Sequence, residues 1–273
     1  MRRIPLKTLA VSLAAALSLG VSATAFGDGA TDNTSQISAG VNPTLVPASG
    51  TPGKASLYTQ VTTYDNDNTP ATPDQAAEVV EIDFPAEMKY KANKFLDKCA
   101  LADVATLATD DAALECGSSL IGSGHAFARI PGVPTPNNEL ELTVLAFNGD
   151  KSVAGGGFDG GNPTIILHAD NATLPTTPVL GEIRDSDGGA DYGKELNVPD
   201  APDVAGDVGA LVQFGAQVAK GYNNGKKGNK KKKFNLIGAT CNGDGDFDFQ
   251  AFWEYDDASS DTDTYSQDCT PKP

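Results

Sequence analysis

Residues 246–255 read Asp-Phe-Asp-Phe-Gln-Ala-Phe-Trp-Glu-Tyr. In an extended chain Phe247, Phe249, Ala251, Trp253 and Tyr255 fall on one side and Asp248, Gln250 and Glu254 on the other, with Phe252 the exception. A period of two marks a strand with one face in a core and one in water. The only Trp of the chain, Trp253, lies on the apolar face and is expected to anchor the core there. Outward from this stretch, similar short runs recur at 55–63, 77–84 (AEVVEIDF), 125–130, 139–147 (ELELTVLAF), 164–168 (TIILH), 179–184, 194–198, 208–218 and 234–240. Gly, Pro, Asn and Asp clusters separate them. This spacing of β-branched and aromatic runs predicts an all-β fold, a β-sandwich of jelly-roll-like or Ig-like type. The one helical signal, at 94–114, predicts a short helical insert inside a disulfide loop.

The N-terminus reads differently. Arg2, Arg3 and Lys7 precede an apolar run at 9–21, and Ala23-Thr24-Ala25 offers a small-x-small cleavage site. The apolar run is shorter than the roughly 20 residues a membrane span needs. Residues 1–25 are therefore expected to be a cleaved signal peptide, and the mature chain to be secreted, with no transmembrane anchor. Residues 26–54 are rich in Gly, Ala, Ser, Thr, Asn and Pro, and read as a flexible low-complexity leader that buries too little apolar surface to offset its ordering entropy. Residues 55–273 are expected to form a single β-sandwich domain.

The chain carries a net charge of −16, and loss of Arg2, Arg3 and Lys7, with no acidic residue in that segment, takes it to −19. Such a surface repels nucleic acid and anionic membrane at long range. Four cysteines in an exported chain read as disulfides. Of the three possible pairings, the two local ones are expected, Cys99–Cys116 and Cys241–Cys269, each closing a short stretch with a wide gap between them. Zinc ligation would call for tighter spacing.

Residues 208–218 and 234–240 flank a polar insert in which Asn224-Gly225 signals a reversal, predicting a long antiparallel hairpin with lysines at its tip. Lys226, Lys227, Lys230, Lys231, Lys232 and Lys233 form the one basic cluster and are a candidate anion-binding patch, with a solvated hairpin tip as the plainer reading.

The order of features is then a signal segment, a Cys-bounded helical insert, Cys116-Gly117-Ser118-Ser119-Leu120-Ile121-Gly122-Ser123-Gly124, a Lys-rich turn, an apolar strand leading to Cys241, an aromatic strand and a closing Cys269. Over residues 55–269 this resembles uncharacterised exported β-rich proteins of high-GC Gram-positive bacteria. The resemblance implies export, a β fold and the same Cys pairing. That group has no assigned activity, so it lends no functional residue.

Other patterns bear on chemistry. Asp244, Asp246 and Asp248 alternate in a Gly-loosened segment and are candidate calcium ligands, although the sixth and twelfth positions of an EF-hand loop are not met. Asp185-Ser186-Asp187-Gly188-Gly189-Ala190-Asp191 reads as a turn. Glu81, Asp83 and Glu87 come near the closely set acids of a jelly-roll glucanase strand, but Pro85 breaks the strand before Glu87. Ser123 and His125 share a strand face without the nucleophile-elbow spacing, and His125 is expected to be a partly buried strand residue. Together these readings favour a secreted non-enzymatic structural or binding module, calcium-stabilised in one version, whose partner is a cell-wall or extracellular polymer. The alternative is a secreted carbohydrate-active hydrolase using Glu81, Asp83 and Glu87.

Overall fold

The computed structural model describes residues 33–65, 77–91, 96–129, 139–170, 178–201, 210–218, 226–227, 230–231, 236–241, 245–255 and 258–272. The expected signal segment lies outside the described residues. The chain is all-β and sandwich-like. Its strands in order are β1 (Asn33–Asn42), β2 (Leu45–Pro47), β3 (Gly53–Asp65), β4 (Ala77–Pro85) and β5 (Met88–Tyr90); then, after α1 (Leu101–Val104) and α2 (Thr109–Glu115), β6 (Leu120–Arg129), β7 (Glu139–Asn148), β8 (Thr164–Asp170), β9 (Val179–Asp185), β10 (Tyr192–Val198) and β11 (Ala210–Val218). β12 (Lys226–Lys227), β13 (Lys230–Lys231), β14 (Ile237–Ala239), β15 (Asp246–Tyr255), β16 (Ser260–Asp268) and β17 (Thr270–Lys272) complete the set.

One antiparallel sheet runs β16-β15-β4-β10-β9-β8-β7-β6-β11-β3, with β1 also paired to β3. It folds over on itself. Ile82, Leu196 and Leu167 of one half face Val61, Leu211 and Phe214 of the other across a void of about 60 Å³. Strand β15 behaves as its sequence dictates: Phe247, Phe249, Ala251, Trp253 and Tyr255 are buried and the intervening residues are not. Full burial of a side chain such as Phe249 contributes about 2 kcal/mol.

The expected flexible leader is corrected. Residues 33–42 form β1, antiparallel to β3 from Asn33↔Asp65 to Asn42↔Ser56. Ser35, Ile37, Ala39 and Val41 are buried. They are small enough to sit against β15, where the Ser35 hydroxyl bonds the Tyr255 hydroxyl. A low-complexity composition disguised a period-2 strand whose inward residues are small.

The two sheet ends meet. The backbone N–H groups of Ser35, Ile37 and Val41 donate to Asp261 Oδ2 (2.6 Å), Asp263 Oδ2 (2.9 Å) and Gln267 Oε1 (2.7 Å). Each pair is separated by 226 positions. β1 and β16 therefore lie side by side, parallel and in constant register, joined by side-chain acceptors. Further along, the joint becomes a backbone ladder, with β17 parallel to β2 from Thr270↔Leu45 to Lys272↔Pro47. The Cys241–Cys269 disulfide sits at that transition, where Cys241 N–H donates to Pro47 O (2.9 Å).

Cys99 and Cys116 are joined as expected, and α1 and α2 lie in the loop they close. The loop packs Val104 and Ala112 on Leu145, Phe147 and Ile166 of β7 and β8. His168 Nε2 lies 2.7 Å from Leu107 O, and Asp170 accepts from Thr109 N–H (2.9 Å), fastening the helical cap to the sheet.

The expected hairpin between 208–218 and 234–240 is also corrected. β11 and β14 each pair antiparallel with a different stretch of β3, so they run in the same direction. β3 is long enough to serve both. The lysines pair with one another in β12–β13, with Lys227 opposite Lys230, while Asn224-Gly225 lies outside the described residues. Among the described residues no helix is long and apolar enough to cross a membrane.

Replacing both Asp261 and Asp263 by Ala leaves the Ser35 and Ile37 N–H groups without acceptors, which costs about 1–3 kcal/mol for each. Urea unfolding is expected to show that loss, with the double Asn variant, which keeps a side-chain carbonyl at each place, recovering at least half of it.

Candidate functional site

The outer face of the sheet carries two distinct polar arrangements. The first is a row of acids. Strand register aligns Gln250, Asp83, Glu195 and Arg184 across β15, β4, β10 and β9. The neighbouring row is Phe252, Glu81, Asn197, Glu182 and Thr164. Arg184 donates from Nε to Glu195 Oε1 (2.7 Å) and from Nη2 to Glu81 Oε1 (2.7 Å). Asp83 accepts from the Ser186 hydroxyl.

Loops cover this row. The β9–β10 connection sits over Asp83, so that a Cβ on Gly188 would come within 2.8 Å of Asp83 Oδ2. The glycine-rich segment 154–161 (AGGGFDGG) wraps Glu182. That carboxylate, fully buried, accepts from the Ser152 hydroxyl, Asp159 N–H (3.0 Å), Gly160 N–H (3.1 Å) and Asn162 Nδ2 (3.2 Å). Gly157 has φ +80°, and a Cβ there would stand 2.4 Å from Pro199; only glycine fits. Its carbonyl accepts from Asn197 Nδ2 (2.9 Å).

Burial sets the protonation of the row. Burial first, then the nearby Glu81 charge, push Glu195 up to about 7, against the pull of Arg184. Burial likewise raises Glu81, with Arg184 opposing, and raises Asp83, with the Ser186 hydrogen bond opposing. Burial would raise Glu182 too, but the bonds from Ser152, Asp159, Asn162 and Gly160 outweigh it and hold that carboxyl below its ordinary range.

The second arrangement is open. Strands β3, β11, β6 and β7 present three rows: Tyr58, Gln217 and Ser123; Gln60, Gly215, His125 and Thr143; and Thr62, Gln213, Phe127 and Glu141. They line a groove of about 400 Å³, within the range of small-molecule and ligand sites, roughly 300–1,000 Å³. Gly215 is its floor. With no side chain at the centre of the middle row, the surface dips between the Gln60 and His125 neighbours. His125 Nδ1 lies 3.1 Å from Glu141 Oε1, and the Tyr58 hydroxyl donates to Gln60 Oε1. Among the described residues no Lys or Arg lines the groove.

The sequence-level candidates are distributed as follows. Glu81 and Asp83 share a face with Glu195, but they stand under loops and in an ion-pair network, neither in a cleft nor on a solvated sheet. Glu87 lies on the turn after Pro85, off the strand. Asp246 and Asp248 share the outer face of β15, opposite Asp268 and Ser266 on β16, while Asp244 lies outside the described residues. Of the lysines, Lys226, Lys227, Lys230 and Lys231 belong to β12–β13, and Lys232 and Lys233 lie outside the described residues. Ser123 and His125 do share a face, but among the described residues no hydrogen bond joins them, and His125 is exposed rather than partly buried. Cys99 and Cys116 form, with Asp103, the one cluster of metal-type ligands found among the described residues, and their sulfurs are bonded to each other.

Sequence reasoning passed over Arg184, Glu182, Glu195, Asn197 and the groove residues other than Ser123 and His125. Their signal was the polar alternation within 179–184, 194–198 and 208–218. Only the register shows that these positions meet across strands. No family model matches the chain, and no curated protein or solved structure shows significant similarity to it.

Glu195 makes stability depend on pH. Its folded pKa of about 7 stands above its unfolded value, so the folded state binds the extra proton in between, and stability falls as pH rises through that interval. Glu81 and Asp83 act with the same sign. Glu182 acts with the opposite sign, below the ordinary carboxylate range and outside this interval. Melting temperature is expected to be several degrees higher at pH 5 than at pH 7.5, at roughly 2–4 °C per kcal/mol for a chain of this size. Glu195→Gln is expected to shrink that difference; an unchanged difference would show that Glu195 is ionised at neutral pH.

Proposed function

We propose that the chain is an exported, non-enzymatic binding module whose ligand site is the groove over Gly215, and that its partner is an extracellular or cell-wall polymer. The observation that carries this reading is the groove itself, a concave polar and aromatic surface of about 400 Å³ on a stretch of outer sheet that no loop among the described residues covers. Other parts of that face are occupied: the helical cap sits on β7 and β8, and the glycine-rich loop on β9 and β10. Two disulfides are compatible with an oxidising, extracytoplasmic setting. They support export, as does the resemblance to exported β-rich proteins of high-GC Gram-positive bacteria, which remains part of the proposal.

The hydrolase alternative draws less support. A glycosidase needs two carboxyls flanking a substrate bond, at separations that leave room for a nucleophile or a water. Here Glu81 is bonded to Arg184, Asp83 is 9% exposed and Glu195 1%. Glu81 and Glu195 tie β4 and β10 to β9 through Arg184, and Asp83 holds Ser186 of the β9–β10 connection.

Gly215→Leu separates the roles of groove and fold. A Cβ at Gly215 meets its nearest neighbours at 3.6 Å, an ordinary contact, so the variant is expected to keep the wild-type melting temperature while filling the floor. Co-sedimentation of the exported chain with purified Gram-positive cell walls is expected to fall at least tenfold in Gly215→Leu and to stay unchanged when the six lysines from Lys226 to Lys233 are replaced by Gln. Absence of wild-type sedimentation, or equal sedimentation of the Leu variant, would overturn the proposal.

A further inference from the structure

The lining of the groove identifies a class of ligand. We infer that it takes a segment of neutral polysaccharide, an inference that rests on the binding-module reading above. Gln60, Gln213 and Gln217 each offer an amide that both donates and accepts. Sugar hydroxyls do the same, so either partner can supply the proton at each contact. Tyr58 and Phe127 stand at opposite corners of the groove, two strands and four residues apart by register. That is on the order of 16 Å, which suits several linked rings rather than one. The exposed Tyr58 ring and the Phe127 edge provide apolar surfaces for the C–H faces of those rings.

Charge excludes the main competitor. Among the described residues the groove holds no Lys or Arg to meet a phosphate or carboxylate, its His125 Nδ1 lies 3.1 Å from Glu141 Oε1, and the chain as a whole is strongly acidic. A polyanion would approach against that field.

The uncharged surface also continues beyond the groove. On β1, Gln36 and Ser38 are the register partners of Thr62 and Gln60. The constant offset across the seam sets them beside Thr262 and Thr264 of β16, both exposed. A band of amides and hydroxyls thus runs from Phe127 across β11, β3 and β1 to β16. A single sugar would fill only the groove, whereas a polymer would follow the band.

Affinity electrophoresis in gels containing galactomannan, hydroxyethyl cellulose, mannan or dextran tests this, with polygalacturonate and polyphosphate as anionic arms. At least one neutral polymer is expected to retard the wild-type chain. The retardation should weaken at least fivefold in Tyr58→Ala, Gln217→Ala and Gly215→Leu, and persist in 0.5 M salt, where surface ion pairs are screened. Retardation by the anionic polymers alone, retardation by none, or equal retardation of wild type and Gly215→Leu would overturn the inference. Groove-dependent sedimentation with cell walls alongside failure of every neutral polymer would remove the neutral-glycan assignment and leave the module reading standing. Loss of both would remove both.

Discussion

The row of edge N–H groups along β1 is the constraint around which the rest of the structure is arranged. An unpaired strand edge is a template for aggregation and carries donors that need partners. Here the last strands of the chain supply them. Asp261, Asp263 and Gln267 reach across from β16 to Ser35, Ile37 and Val41 without a backbone ladder. The ladder takes over between β2 and β17, with Cys241–Cys269 at the point of change. Side-chain closure lets the two strands run parallel and slightly apart, a geometry a direct ladder would not permit at the same spacing. β1 and β16 are thus each other's edge, and β2 and β17 continue the joint.

Once the sheet is closed, its inner face is core, and function falls to the outer face. That surface is divided by what covers it. The disulfide-bounded helical cap is fastened by His168 and Asp170, and the glycine-rich loop by Glu182 and Asn197. The buried acids are thus fasteners whose charge is balanced by Arg184 or by backbone donors. Among the described residues the β3-β11-β6-β7 surface is left open, and there the missing side chain at Gly215 shapes the groove. The same strands show the opposite use of glycine on their inner face. A Cβ on Gly124 would stand 1.8 Å from Gly215 O, so β6 and β11 approach more closely there than any side chain would allow.

Much of the fold was legible in sequence where one face of a strand is large and apolar. β15, β4, β7 and β8 announce themselves through Trp253, Ile82, Leu142 and Ile166, and both disulfides through cysteine spacing. β1 and β16 do not, because small or polar residues interrupt their inward faces: Ser35 and Ala39 alternate with Ile37 and Val41 on one, and Asp261 and Asp263 stand on the other. Such strands are defined by each other. The separate placements of β11 and β14 along β3 were hidden for a related reason, since an Asn-Gly turn signal is local and a choice of strand partner is not. Glu81 and Asp83 were visible as paired acids. Glu81 pairs with Arg184 and Asp83 with Ser186, each 103 positions away, so sequence spacing suggested chemistry where register gives an ion pair and a hydrogen bond. The groove had no sequence signature, because Tyr58, Gln60, Ser123, His125 and Gln217 come from three strands and meet only through pairing.

Amide hydrogen exchange, resolved by residue, tests the closure most directly. If β1 is sealed against β16, the N–H groups of Ser35, Ile37 and Val41 exchange as slowly as those of the central strands β4 and β15, in the full chain at neutral pH. Exchange of all three at the rate of an open strand edge would contradict the account, leaving β1 with an exposed edge and the polar band across the seam without a fixed geometry.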